Sequence, residues 1–393
     1  MNATTSVSIP TRTETEILNF LLSHALENEL PLAVWRLPFS SVTYVVISDK
    51  YQTLAKNSAI EELPAGFMFA PFDRDKDSIF LPANFMFAFE GHELREAKTP
   101  LETTSSLWLA SSYSPGRKPK LKLSHAMSGS TPTDYEDLVR KAVAAIDAQQ
   151  FEKVVPSRTK RIELAEEFDI VDSFQKLSKA YSTALISFVS VPGVGHWLGA
   201  TPETLVTVEG KTIFKTVALA GTLPYKEGMN LKTVAWTEKE IEEQALVERY
   251  VISCFKKIRL REYEEHGPKS MVAGNLIHLK SEFVVDMVAT NFPQLGTVML
   301  QLLHPTSAVC GMPLEPALQF LKEHEGYDRE FYAGYLGPVN INNNINLFVN
   351  LRCMKLMDGH ALLYAGAGVT VDSSPEQELA ETEMKFKTLL NIL

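Results

Sequence analysis

Apolar residues recur at helical spacing over residues 18–26, and the runs at 32–37 and 42–47 that follow read as β-strands. Two similar pieces, Gly66-Phe-Met-Phe-Ala-Pro71 and Asn84-Phe-Met-Phe-Ala-Phe89, predict the arms of a hairpin joined through the polar stretch 73–77. After Thr133 the helical period returns, with Tyr135, Leu138, Val143 and Ile146 near one face, and the strand-like Phe151-Glu-Lys-Val-Val-Pro156 follows. A second long helix is predicted from Thr237, where Glu240 three residues on completes a capping box. Its expected buried stripe is Ile241, Ala245, Val251, Cys254, Phe255 and Ile258. The C-terminal third reads as a meander: 332–341, an Asn-rich turn at 342–344, 347–356, an Asp358-Gly359 turn, then 361–371. Ser374 as cap, Pro375 at the first position and Gln377 as capping-box partner predict a last helix. Strands and helices come in blocks, so the pattern predicts an α+β fold with antiparallel sheets flanked by helices.

Composition narrows the class. The 393 residues are 45% hydrophobic and 22% charged, enough for a sizeable core. A formal net charge of −10 argues against nucleic acid or an anionic membrane as partner, because both demand clustered basic surface. Cys254, Cys310 and Cys353 are odd in number and widely spaced, which suits neither a disulfide framework nor a zinc site. With no secretory leader pattern in residues 1–16 and no apolar run of membrane-spanning length, a cytoplasmic location is expected. Residues 111–133, rich in Ser, Pro, Gly and Lys, read as a surface connection and the best internal boundary.

Taken singly, the polar candidates have ordinary explanations. Strand alternation puts Lys153 opposite Val154, on a solvent-facing side. Glu203 follows a turn-like Gly199-Ala-Thr-Pro202 and suits a loop surface or a site at a strand end equally well. Glu240 and Glu243 sit where carboxylates favour a helix dipole. Glu378, Glu381 and Lys385 share one helix face, as solvated salt-bridge stripes do. Ala365-Gly-Ala-Gly368 lacks the Lys-Ser/Thr of a P-loop and suggests only close backbone approach to a ligand. His278 and His304 stand alone, without partners at zinc-ligand spacing. No Gly-x-Ser-x-Gly elbow supports a nucleophilic hydrolase.

Their joint order is more informative. Phe151-Glu-Lys-Val-Val-Pro-Ser-Arg158, Gly199-Ala-Thr-Pro-Glu-Thr-Leu205, Leu219-Ala-Gly-Thr222, Leu303-His-Pro-Thr-Ser-Ala308, Tyr332-Ala-Gly334, Leu351-Arg-Cys353, Ala365-Gly-Ala-Gly368 and Ser373-Ser-Pro with Glu378, Glu381-Thr and Lys385 resemble the chorismate-utilising enzymes. That family includes isochorismate, salicylate, anthranilate and aminodeoxychorismate synthases. The resemblance covers residues 133–393, the expected catalytic core. Residues 1–130 match loosely, through 66–73, and are expected to form a more divergent part of one chorismate-binding domain spanning 1–393.

The resemblance implies a Mg²⁺-dependent, reversible conversion of chorismate to isochorismate, feeding menaquinone or siderophore biosynthesis. It makes Lys153 the general base for the attacking water. That role needs the neutral amine, and bringing a lysine pKa from about 10.4 to about 7 takes roughly 4 kcal/mol of desolvation or nearby positive charge. Glu203 takes the family's general-acid position, so its pKa must rise. Lys239-Glu-Ile-Glu-Glu-Gln244 aligns with the family's Lys-Glu-x-x-Glu-His, with Gln244 replacing the His, and puts Glu243 and Glu381 at the two Mg²⁺ positions. Glu240, Glu378 and Lys385 are then expected around them. Arg352 is implied to hold the enolpyruvyl carboxylate, with backbone N–H groups near Gly366 assisting. His278 matches a histidine beside the substrate ring, and Ala308, Val309 and Lys385 are further substrate-binding positions. Cys310, in the same stretch as Ala308, is expected to be a packing residue.

Among the sister enzymes, ammonia users carry Gln where this chain has Lys153, and common aminodeoxychorismate synthases use a lysine where this chain has Ala220. Water is therefore the expected nucleophile, and no amidotransferase subunit is expected. Salicylate synthases share the same base and acid and go on to eliminate pyruvate, which makes them the nearest alternative. Leu223-Pro224 replaces an Arg found in many relatives, while Leu303-His-Pro-Thr-Ser-Ala-Val-Cys-Gly311 favours the isochorismate synthases. A non-catalytic binding protein on this fold would show erosion at Lys153, Glu203, Glu243 or Glu381, and all four are intact. The expected partner is the small-molecule substrate alone, met by a monomer.

Overall fold

The computed structural model describes residues 13–91, 93–98, 118–121, 134–226, 228–273 and 276–393. Its strands form two large antiparallel sheets. One runs in the order β7 (Glu93–Lys98), β6 (Phe85–Glu90), β2 (Val42–Ile47), β1 (Leu32–Arg36), β10 (Leu185–Val191), β11 (Gly195–Thr201), β19 (Cys353–Met357), β20 (His360–Gly366), β9 (Ser157–Glu163). The other runs β14 (Glu264–Ala273), β15 (Leu276–Asp286), β13 (Ile213–Pro224), β12 (Thr204–Glu209), β18 (Ile345–Val349), β17 (Tyr335–Val339), β4 (Gly66–Ala70), β5 (Ser78–Pro82), β3 (Gln52–Leu54). A separate two-stranded ribbon pairs β8 (Lys153–Val154) with β16 (Gly311–Met312).

The first sheet is covered on both faces, as β1 shows. Leu32 and Val34 join a core with α1 (Glu14–Glu27), α3 (Ile170–Ala180) and α7 (Pro375–Leu390), whereas Ala33 and Trp35 join the core shared with the second sheet. All five β1 residues are buried, which is why this stretch is almost uniformly apolar. Trp35 stacks on Tyr44 with ring centroids 5.2 Å apart, and losing such a side chain costs about 3–5 kcal/mol. The larger core is completed by α2 (Tyr135–Asp147), α4 (Glu238–Lys257), α5 (Leu295–Leu303) and α6 (Leu314–His324). The N-terminal strands are built into both sheets, β1 beside β10 and β4 beside β17.

Four expectations change. The two similar pieces are not one hairpin: the turn at 73–77 joins β4 to β5, while β6 pairs with β2 in the other sheet. Their shared apolar pattern reflects burial on both faces in each case. The stretch 347–356 is two strands, because the chain crosses from one sheet to the other at 350–352, where Arg352 takes the left-handed conformation with φ 48°. The α4 capping box forms, but Ile241 is 54% exposed. The buried stripe runs through Gln244, Val247, Tyr250, Val251, Cys254 and Phe255, since the first turn projects beyond the sheet it packs on. At α7, Ser374 caps by position only, and its hydroxyl donates to Glu376 at 2.7 Å instead of serving a box with Gln377. The connection at 111–133 lies outside the described residues except for 118–121, where exposed Lys118 pairs with Asp169 at 3.0 Å. Helices α3, α5 and α6 are not among the predicted elements, although Asp169 as cap and Ile170, Val171, Phe174 and Leu177 at helical spacing mark α3.

Candidate active site

The corner at Arg352, the ends of β11 and β20, β13 and the inner faces of α4 and α7 border one cleft. Glu203, Ala220, Glu243, His278, Ala308, Val309, Arg352, Gly366, Glu381 and Lys385 all line it. Stacked tyrosines form part of the wall: Tyr332 and Tyr364 lie 5.2 Å apart, and Tyr364 stacks in turn on Trp197 at 5.4 Å.

Lys153 enters from beneath. Its strand is two residues long, flanked by β16 on one side and by a bridge from Val154 to Val369 on the other. Both edges are thus paired, and Lys153 is only 2% exposed, contrary to the solvent-facing reading. Its Nζ donates to Glu243 Oε1 at 2.9 Å. The glycines of 365–368 make room for this contact: a Cβ on Gly368 would sit 2.9 Å from Lys153 Cε and 3.4 Å from Glu243 Oε1. A Cβ on Gly366 would press on the Pro156 carbonyl at 2.9 Å and the Tyr332 hydroxyl at 3.2 Å. The close approach expected of this segment is therefore made to the protein itself.

The carboxyls differ sharply. At Glu203, burial pushes the pKa up to about 7 against the opposing pull of Lys385, Lys153 and Arg352. At Glu243, burial also raises the pKa, but Lys153 in direct contact outweighs it and the net shift is downward. Glu381 pairs with Lys385 at 2.8 Å, and Lys385 also donates to the Gly366 carbonyl at 2.7 Å. Glu378 is 1% exposed; burial and neighbouring Glu381 raise its pKa, and its Oε1 has no hydrogen-bond partner, with Lys239 Nζ 3.8 Å away. Glu240 does not join this group, because its carboxylate turns back to accept from the Thr237 N–H at 2.9 Å.

His278 stands on the opposite wall. Its Nδ1 lies 3.0 Å from the Gly221 carbonyl, which fixes the proton there, and Thr222 Oγ1 is 3.3 Å away. Burial, followed by the nearby Arg352, lowers its pKa to about 4, so the ring is neutral at pH 7. Its Nε2 is buried without a partner and is left as an acceptor. Arg352 is held among Tyr181, Glu203 and Glu381, and burial lowers its pKa. Gln244 fills a structural role: its Oε1 accepts from the Ala220 N–H at 2.9 Å and its Nε2 donates to the Ala218 carbonyl at 3.3 Å. Thr222, Tyr332 and Tyr364 join the cleft without having been singled out as site residues. The first two lie inside the motif segments; Tyr364 sits in an apolar strand with no local signal.

Among the described residues, no three His, Cys, Asp or Glu side chains gather at metal-ligand spacing. Two hard carboxylates from different helices, Glu243 and Glu381, nevertheless face one cleft, and the orphaned Glu378 oxygen offers a seat for a bound water. That donor set fits Mg²⁺, which takes one or two carboxylates and keeps several waters. The three cysteines are buried and unpaired, and burial pushes Cys310 up to about 12, as suits a packing residue. No helix among the described residues is long and apolar enough to cross a membrane.

A family model described as chorismate binding enzyme matches residues 42–393, beginning well inside the N-terminal stretch where sequence motifs are sparse. Isochorismate synthase EntC of Escherichia coli (strain K12) is 31% identical over 268 residues, covering 66% of this chain and 67% of its own length. Among solved structures, MenF, the menaquinone-specific isochorismate synthase of Escherichia coli, superposes with a TM-score of 0.73 at 21% identity over 92% of this chain and 88% of that one. Anthranilate synthase component I of Streptococcus pneumoniae TIGR4 superposes at 0.69, with 19% identity over 99% and 95%. The α+β architecture is thus common to proteins named for different chemistries, and choosing among those falls to the side chains in the cleft.

Proposed function

The chain belongs to the chorismate binding enzyme family, and from that premise we propose that it is an isochorismate synthase, an isomerase moving a hydroxyl around the chorismate ring. The observation that carries this reading is a buried lysine in contact with the cleft wall through Glu243, in a site that also holds Glu203, a carboxyl whose pKa is raised to about 7. Water attack on one ring carbon requires loss of a proton, and departure of hydroxide from another requires its gain. Lys153 takes the first proton as the neutral amine, after the ammonium that donates to Glu243 has given up a proton, and Glu203 supplies the second from a carboxyl that is still partly protonated at neutral pH. One water is added and one is lost, so substrate and product are isomers and the step balances without a co-reactant.

Chorismate carries two carboxylates. Arg352 answers one, in a buried position where a bidentate guanidinium contact gains strength. Mg²⁺ held by Glu243 and Glu381, with Glu378 behind them, would supply the positive charge for the other. His278, neutral with Nε2 open, accepts from a substrate hydroxyl. Lys153 in place of Gln and Ala220 in place of Lys favour water over ammonia or a lysine as nucleophile. We take the enzyme to act as a monomer on the small molecule, without an amidotransferase, feeding menaquinone or siderophore biosynthesis.

The test is direct. Purified protein with chorismate and Mg²⁺ is expected to reach a chorismate–isochorismate equilibrium by chromatography without accumulating pyruvate. Sustained pyruvate release would replace this reading with that of a salicylate synthase.

A further inference from the structure

The strand bearing Lys153 belongs to neither large sheet; beyond its backbone pairing with β16 and Val369, side chains also reach the segment that carries it. A wholly buried ion pair lies just beyond it. Arg329 and Glu325 are 3% and 4% exposed, and the guanidinium meets the carboxylate through Nε to Oε2 at 2.6 Å and Nη2 to Oε1 at 2.7 Å. Its remaining hydrogen bonds go to backbone: Nη1 donates to the Val309 carbonyl at 2.8 Å and Nη2 to the Val155 carbonyl at 2.7 Å. Glu325 Oε1 also accepts from the Ser157 N–H at 2.6 Å and from the Ser157 hydroxyl at 2.7 Å. The guanidinium face lies 4.4 Å from the Phe72 ring centroid, which closes the pocket against water.

Val155 and Val309 both line the cleft, on two segments that face each other. One carries Lys153 two residues before Val155. Buried ion pairs seldom repay their desolvation with net stability, so a pair this complete calls for another explanation. We propose that Arg329 and Glu325 are positioning residues for Lys153: the pair clamps the Lys153 strand to the turn at 306–310 and fixes where the amine sits. This rests on Lys153 being the base of the proposed reaction. Only a planar fork can reach both carbonyls and the carboxylate together; an ammonium in its place keeps the charge and loses the span.

The experiment is a double-mutant cycle with Arg329→Lys and Lys153→Ala, reading kcat and KM separately with chorismate and Mg²⁺. Arg329→Lys is expected to lower kcat at least tenfold with KM within twofold. In the Lys153→Ala background it is expected to leave the residual rate unchanged, because it acts through a group already removed. An unchanged kcat, a rise in KM alone, or an equal further loss in the Lys153→Ala background would overturn the proposal. Should Arg329→Lys fail to fold, Ser157→Ala removes the hydroxyl bond to Glu325 along with the 2.6 Å contact to the Tyr327 hydroxyl, with Tyr327→Phe as the control for the latter, and is expected to lower kcat about threefold with KM constant; wild-type kcat in Ser157→Ala counts against the clamp. Near-wild-type turnover in Lys153→Ala alone would instead sink the reading of Lys153 as base.

Discussion

Two hollows among the described residues differ in how their polar groups are spent. The second lies beside β3, β5 and α5 and is lined by Lys56, Asp73, Arg74, Lys76, His304 and Tyr335 among others. There the charges are already matched: Lys56 with Asp75 at 2.6 Å, Arg74 with Glu315 at 3.0 Å, Lys76 with Asp328 at 2.6 Å. His304 Nε2 lies 3.1 Å from the Pro71 carbonyl, and the Tyr335 hydroxyl is 3.2 Å from Ser78 Oγ. In the first hollow, His278 Nε2 is buried without a partner and Glu203 is held far from its ordinary pKa. Unfinished polar chemistry separates the two, since leaving such groups unpaired costs free energy that a bound ligand or water can return.

The comparison is sharpened most by removing the proton-transfer groups. Lys153→Ala and Glu203→Gln are each expected to lower kcat by about 10³-fold or more with the circular dichroism spectrum unchanged; a variant within tenfold of wild type would break the assignment. Next comes the metal: Glu381→Ala is expected to raise the Mg²⁺ concentration for half-maximal rate at least about tenfold, the equivalent of about 1.4 kcal/mol, and an unaltered Mg²⁺ titration would remove that residue from the site. A subtler effect concerns stability. The Glu203 carboxyl is raised from 4.5 to about 7 in the folded protein, so its ionisation penalises folding progressively as pH climbs through that window and fully above it. Glu203→Gln should therefore be more stable than wild type at pH 8.5, by on the order of 3 kcal/mol at most, and the gain should vanish at pH 4; denaturant melts at the two pH values decide it. Smallest of all, Arg74→Ala and Lys76→Ala in the second hollow are expected to leave kcat and KM within twofold, and a tenfold change would show that the two hollows are not so different.

Much of the architecture was legible because periodicity reports burial. Helices α1, α2, α4 and α7 and strands such as β1 and β2 follow from spacing alone. What spacing misses is which sheet a strand enters: β4 and β6 carry nearly the same apolar run yet lie in different sheets, and 347–356 hides a crossing set by one left-handed residue. Within the site, the ordered motifs brought Lys153, Glu203, Glu243, His278, Arg352 and Glu381 to one cleft. Lys153 in isolation misled, since alternation assumes a strand with a wet face and β8 has none. Glu325 and Arg329 were invisible for the opposite reason, because a Glu and an Arg four residues apart look like any exposed helix pair. Glu240 took a capping bond that local sequence had already announced.

The pairing of β4 with β17 has a consequence for biosynthesis. Ala70 emerges from the ribosome long before Tyr335, its partner across the ladder. At ordinary elongation rates the gap is on the order of tens of seconds, during which an apolar strand waits with one edge open. Until then that edge is a template for pairing with another chain, so slower release of the C-terminal third should raise aggregation of the nascent chain, read as the insoluble fraction on synthesis.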